Sequence, residues 1–271
     1  ANQIFQTDCF DSGIYGVPTF VIPGTEDSEP ELFFGREHLP RLQWELTGRK
    51  GPQPDIAYES GPLKSSGTKD NERSLAVCID FKSAESFLAI EPTIKACNES
   101  ETEIDWRIVK RPPLKQHSMP ADTSSRGEMH RFFRSRYIAQ DLARYASVEL
   151  SNIYDEERSD WAQLGLLWLQ EIGEKSMDIN HYIQHIFNRY WVEGRSIDTS
   201  DSISEVLESM GFNARGFLSY LEKDSELTLL SRQELDTELS VMATPTYYLG
   251  GEPYQGRQHL PLIMNRLGHT L

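Results

Sequence analysis

Cysteine is scarce in this chain: three in 271 residues, at positions 9, 78 and 97, with no Cys-x-x-Cys pair and no metal-ligand spacing. That excludes a local dithiol motif and a zinc knuckle. Cys78 sits in an apolar run and reads as a small buried hydrophobe. Such thin cysteine usage fits a reducing compartment, and the cytoplasm is expected. Long apolar runs are missing too. None approaches the ~20 residues a spanning helix needs, so no membrane partner is expected. Positive charge is also short, with a net charge of −15, which argues against a general nucleic-acid surface. One stretch departs from this. From Arg107 to Arg144 nine basic residues face three acids, a local charge of +6 that leaves −21 for the remainder. Two roles fit it: contact with a small anionic ligand, or a solvated helix face. The 38% apolar and 10% aromatic content suits a folded protein with a real core.

What is present is a repeat. Gly16-Val-Pro18-Thr-Phe-Val-Ile22, then Glu31-Leu-Phe-Phe-Gly35-Arg-Glu-His-Leu-Pro40, returns as Ala243-Thr-Pro245-Thr-Tyr-Tyr-Leu249, then Glu252-Pro-Tyr-Gln-Gly256-Arg-Gln-His-Leu-Pro261. Each copy predicts strand, turn, strand, then a helix whose apolar positions agree: Leu39, Leu42 and Leu46 against Leu260, Ile263 and Leu267. The polar stretch Gly24–Glu29 lengthens only the first hairpin. The two prolines stand 227 residues apart, about the length of a whole domain, so duplication is the simplest origin. Residues 1–50 then read as the closing ββα of a first unit and residues 73–271 as a complete unit. Residues 51–72, rich in Gly, Pro, Ser and charge, read as a linker.

The complete unit is organised around Val77–Ala96. An apolar, β-prone lead-in from Leu75 to Phe81 feeds an amphipathic helix with Phe87, Leu88, Ile90 and Ile94 on its stripe. Ser83 and Ser86 therefore fall at a helix N-terminus, where free N–H groups and the helix dipole favour an anion. A second strand is expected at Ile104–Lys110, then a helical insertion from about 127 to 242. Within the insertion Ser202 and Glu205 form a capping box ahead of Val206, and Gly211 ends that helix.

A βαβ unit, a helical insertion and a ββα unit whose first strand opens on proline make the plan of an α/β, thioredoxin-like fold. Three further stretches carry a family resemblance: Cys78-Ile-Asp80-Phe-Lys-Ser83-Ala-Glu-Ser86-Phe-Leu88; Arg111-Pro112 with Arg136-Tyr-Ile-Ala-Gln-Asp141-Leu-Ala-Arg144; and Phe187-Asn-Arg-Tyr-Trp191-Val-Glu-Gly-Arg195-Ser-Ile197. Together they resemble the 2-hydroxychromene-2-carboxylate isomerases and kappa-class glutathione transferases, across essentially all of 73–271. That resemblance implies a DsbA-like fold, glutathione as cofactor, a small-molecule substrate and a cytosolic isomerase or transferase, and it allows a homodimer. It implies Ser83 as the group that activates the glutathione thiol, and a cis Thr244–Pro245 bond that leaves the Thr244 backbone free to pair with the tripeptide. It places Arg134 where a lysine grips a glutathione carboxylate, with Arg111 and Arg136 as weaker candidates. Arg257 and Gln258, heading the closing helix, complete the cofactor-binding set.

The chemistry follows from the residue types. Where dithiol members carry Cys-x-x-Cys this chain has Ser83-Ala-Glu-Ser86, so thiol–disulfide exchange at this turn has no nucleophile. A serine hydroxyl at a helix start can instead steady a bound thiolate, which adds to a conjugated double bond and leaves after rotation. Plain N-capping is the competing role for Ser83. Two positions depart from the family pattern. Ala84-Glu85 replaces Pro-Tyr, putting an anion beside the proposed thiolate, and Gln258 replaces an Asp that Glu37 retains only in the first copy. Two readings follow: a glutathione-dependent isomerase or transferase, or a degenerate, non-catalytic DsbA-like binding unit.

Overall fold

The computed structural model of the protein describes residues 8–26, 28–58, 74–119, 121, 125–150, 153–155, 158–223, 229 and 241–267. Most of the expected linker, and the insertion between 224 and 240 apart from Leu229, lie outside these. The chain divides into two compact units, residues 1–58 with 114–147, and residues 59–113 with 148–271.

The first unit holds strands β1 (Thr19–Ile22) and β2 (Glu31–Phe34), paired antiparallel with Thr19 opposite Phe34, a 3-10 turn at Arg36–His38 and helix α1 (Leu39–Leu46). A further helix, α3 (Arg126–Tyr145), comes from the segment that the sequence assigns to the insertion of the complete unit. Ser125 and Glu128 form the capping box that starts α3. Polar bonds explain why this helix sits with the first ββα piece. The Phe34 N–H donates to the Tyr137 hydroxyl at 2.7 Å, and the Arg144 guanidinium donates to the Leu32 carbonyl at 2.8 Å while lying over the Phe33 ring. Buried His38 bridges the Tyr145 and Tyr137 hydroxyls at 2.8 and 3.2 Å. Periodicity placed α3 correctly in the chain; these partners are invisible to periodicity.

The second unit is built on a four-stranded sheet in the order β4-β3-β5-β6, from β3 (Ser74–Ile79), β4 (Glu103–Ile108), β5 (Thr246–Leu249) and β6 (Glu252–Gln255). β3 and β4 are parallel, joined through helix α2 (Ala84–Glu99); β5 returns antiparallel to β3, with Cys78 opposite Thr246, and β6 antiparallel to β5. Helices α4 (Asp160–Glu171), α5 (Ser176–Phe187), α6 (Ser200–Ser209) and α7 (Ala214–Leu221) lie in the described part of the insertion, and α8 (Leu260–Arg266) closes the unit against α2. The expected βαβ, helical insertion and ββα are all present. One detail differs: α6 starts three residues earlier than expected. Thr199 is its N-cap, accepting from the Ser202 N–H, while Ser202 returns the bond to the Thr199 N–H and lies inside the helix. A threonine with serine three residues on offered the same reciprocal bonds as the later pair. Among the described residues no helix is long and apolar enough to cross a membrane.

The two ββα pieces agree in their bonds as well as their sequence. Thr19 donates to the Gly16 carbonyl at 2.7 Å and Thr246 to the Ala243 carbonyl at 2.6 Å. The Gly35 N–H reaches the Pro18 carbonyl at 3.0 Å, and the Gly256 N–H the Pro245 carbonyl at 2.8 Å. Both X–Pro bonds are cis, and both glycines have positive φ, 107° and 87°. Glycine suits that backbone because a side chain there would be strained.

Within the insertion, Gly165 on α4 is a packing glycine. A methyl group there would lie 2.1 Å from the Tyr182 hydroxyl and 2.9 Å from Ile203, both fully buried, and Tyr182 is held by its bond to the Ala162 carbonyl. Helix propensity alone makes Gly→Ala favourable by about 1 kcal/mol. Overpacking costs about 1–3 kcal/mol, occasionally more, and here it dominates. Gly165→Ala is therefore expected to lower the urea midpoint of unfolding; an unchanged or raised midpoint would contradict this packing.

Candidate functional site

The site is assembled at the C-terminal end of β3. The strand is apolar as far as Ile79, and the next residue, Asp80, is an acid buried among that core. Its carboxylate is satisfied by backbone donors. Oδ1 accepts from the Lys82 N–H at 2.9 Å and Oδ2 from the Arg111 N–H at 2.8 Å, and its own N–H points to the Ser86 hydroxyl at 3.4 Å. The first bond shapes the turn; the second ties that turn to the segment leaving β4. Burial pushes the Asp80 carboxyl above the ordinary carboxylate range, and the two backbone N–H bonds oppose that rise.

Ser83 then caps α2. Its extended backbone (φ −91°, ψ 117°) lets the hydroxyl accept from the Ser86 N–H at 3.1 Å, while its carbonyl takes the Phe87 N–H at 3.0 Å. The N-capping role is thus real. The hydroxyl proton has two acceptors in reach, the Glu85 carboxylate at 3.2 Å and the Thr244 carbonyl at 3.4 Å. One proton serves one of them at a time. The charged acceptor is the stronger and the nearer. Ser83 nevertheless faces Thr244, across a sequence distance of 161 residues.

Two side chains hold this pair from outside. The Arg111 guanidinium donates to the Val241 carbonyl at 3.0 Å and the Met242 carbonyl at 2.6 Å, fixing the segment that runs into Thr244. The Trp191 indole N–H donates to the Phe81 carbonyl at 3.0 Å and its ring stacks on Phe87. Trp191 lies in a π-helical turn, Asn188–Val192, that continues α5; such turns often mark functional regions. Beyond Pro245, the Gly256 N–H bond brings the head of α8 alongside. Arg257 is buried there, and the Gln258 amide donates to the Gln255 carbonyl at 2.9 Å.

The structure therefore brings together Ser83, Thr244 and Pro245, with Arg257 and Gln258 following through Gly256. Arg134 belongs to the other compact unit, exposed on α3, where its charge acts on the Tyr15 hydroxyl; Arg136 is exposed on the same helix. The expectation for Arg111 needs correction. Its guanidinium is committed to two backbone carbonyls, so it holds the protein's own chain instead of a ligand carboxylate. Asp80 and Trp191 were not singled out from the sequence, although both lie in the stretches that carried the resemblance. A lone acid ending an otherwise apolar strand was the available signal for Asp80. None of the three cysteines is in a disulfide; Cys78 and Cys97 are buried, and burial raises the Cys97 thiol to about 12.

A carboxyl whose folded pKa is raised contributes stability below its unfolded value and loses it as pH rises through the folded value. Stability should accordingly gain from Asp80 as pH is lowered from neutral towards the ordinary carboxylate value of 3.8. Asp80→Asn keeps the shape, cannot ionise and turns an NH2 towards a backbone donor. Urea titrations across that window should show the wild-type advantage over Asp80→Asn widening as pH falls; a constant difference would contradict the raised pKa.

Three comparisons bear on this site. A model of the DSBA-like thioredoxin domain matches residues 76–268. Among solved structures, a 2-hydroxychromene-2-carboxylate isomerase superposes with a TM-score of 0.54 at 20% identity, over 72% of this chain and 94% of that one. A probable DsbA oxidoreductase from Streptomyces coelicolor superposes with a TM-score of 0.52 at 11% identity, over 72% and 88%. At such identities the likeness is one of fold. A search of curated protein sequences finds no match. The matched region runs from β3 to the end of α8 and takes in the whole Ser83–Thr244 site: the chain belongs to the DSBA-like thioredoxin domain family.

Proposed function

We propose that the second unit is a glutathione site of the 2-hydroxychromene-2-carboxylate isomerase kind, with Ser83 as its activating residue. The observation that carries this reading is the Ser83 hydroxyl oxygen lying 3.4 Å from the Thr244 carbonyl, beside a helix N-terminus. Ser83 donates to the ligand's sulfur, the α2 dipole favours its anionic form, and the Thr244 backbone pairs with the tripeptide. Arg257 and Gln258, at the head of α8, orient its γ-glutamyl end. Glutathione supplies the thiol nucleophile for cis–trans isomerisation or transfer. Three cysteines, none in a disulfide, accord with a cytoplasmic setting. The first ββα piece is, in this reading, the closing part of an earlier unit of the same fold.

The hydrogen bond from Ser83 to Glu85 favours a second reading, a degenerate unit that binds without catalysis. Glu85 competes for the proton that the sulfur needs and sets an anion beside it. The readings separate by calorimetric titration with glutathione. In the first, Ser83→Ala weakens binding by about 10–100-fold, the equivalent of one charge-assisted hydrogen bond of about 1.5–3 kcal/mol, while Ser83→Thr retains it. Glu85→Gln tightens binding in the same experiment. Affinity indifferent to Ser83→Ala would overturn the proposal and leave the degenerate unit.

A further inference from the structure

The two ββα pieces differ in what covers them. In the second copy, β5 is paired on both sides, by β6 and by β3, and α8 packs on α2. Thr246 and Tyr247 are then fully buried, and Leu260 is 5% exposed. In the first copy, β1 pairs only with β2 among the described residues. Its other edge, which corresponds to the edge β3 occupies, is unpaired among the described residues, and Val21 is 48% exposed. Leu39, the counterpart of Leu260, is 41% exposed, and Leu46, further along the same apolar row of α1, is 77% exposed. Strand edge and helix row are thus uncovered together, at the positions that a β3–α2 segment covers in the other copy. Helix α3 bonds to Phe34 and Leu32 on β2 and to His38, and it leaves Val21, Leu39 and Leu46 exposed.

We infer that the first ββα piece is a docking surface for a strand-then-helix segment of β3–α2 chemistry, supplied by a partner polypeptide. The strand adds antiparallel to β1, opposite Thr19, Phe20 and Val21, which stand where Thr246, Tyr247 and Tyr248 meet Cys78, Val77 and Ala76. Main-chain bonds give that addition its affinity. The amphipathic helix then covers Leu39 and Leu46. An open edge flanked by exposed leucines is otherwise an aggregation hazard, which the occupant removes. The occupant's own strand–helix turn would stand beside Val17, as Ser83 stands beside Thr244. The inference rests on the two pieces being copies and is independent of glutathione binding.

The probe is a fluorescein-labelled peptide of residues 74–99, titrated under reducing conditions into the full chain and followed by anisotropy and amide hydrogen exchange. The expected result is saturable binding, new protection across Thr19–Ile22, and about tenfold weaker binding in Leu39→Asp and in Val21→Pro. Leu39 is exposed, so Leu39→Asp is expected to fold and decides the matter if Val21→Pro does not. No saturable binding, or binding that neither substitution changes, would overturn the inference. So would self-association of the chain that Leu39→Asp abolishes while the peptide fails to bind, because a second copy would then be the occupant.

Discussion

One buried carboxylate fixes the second unit's site. Asp80 stands where β3 runs out of core, and its two oxygens are met by the Lys82 and Arg111 N–H groups, one from the turn ahead and one from the strand alongside. A carboxylate in that position is costly unless hydrogen-bonded, and these partners offset part of that cost. The geometry they enforce is specific: Lys82 is drawn back, Ser83 becomes the N-cap of α2, and Arg111 is held where its guanidinium reaches the segment entering Thr244. Trp191 closes the other side of the turn through the Phe81 carbonyl. The alignment of Ser83 with Thr244 is thus a product of backbone bonds made by residues that are not themselves at the crevice.

The site also shows how far a shared frame leaves chemistry open. The start of α2 carries Ser83-Ala-Glu-Ser86, two hydroxyls and no thiol. What remains is a hydroxyl with a single proton and a charged neighbour bidding for it. Glu85 therefore competes with the Thr244 carbonyl for the one proton that Ser83 can donate. The first copy illustrates the reverse case: the hairpin, the threonine and glycine bonds and the helix head survive, while the strand and helix that completed the second copy have no described counterpart there.

Much of this was legible in the sequence because it is periodic or repeated. The Pro-Thr-aromatic and Gly-Arg-x-His-Leu-Pro blocks gave both hairpins and both closing helices, and the apolar run into Ser83 gave β3, the turn and α2. The family resemblance implied Ser83, Thr244 and Pro245 as parts of one site. What stayed hidden depends on long-range partners. Arg111 looked like a ligand group because a guanidinium suits carboxylates and carbonyls alike, and only the fold shows which it meets. The allegiance of α3 to the first ββα piece rests on Tyr137, Tyr145 and Arg144, whose partners lie about a hundred positions away in the chain. The start of α6 was misplaced for a local reason, since Thr199 with Ser202 and Ser202 with Glu205 offer the same capping chemistry three residues apart.

The frame around Asp80 is open to direct measurement by native-state amide hydrogen exchange at Lys82 and Arg111. If the carboxylate holds the turn and the β4 exit together, both amides exchange only through global unfolding, in the slowest class with the β3 core. Rapid exchange at both, in a protein whose β3 amides remain protected, would contradict the account.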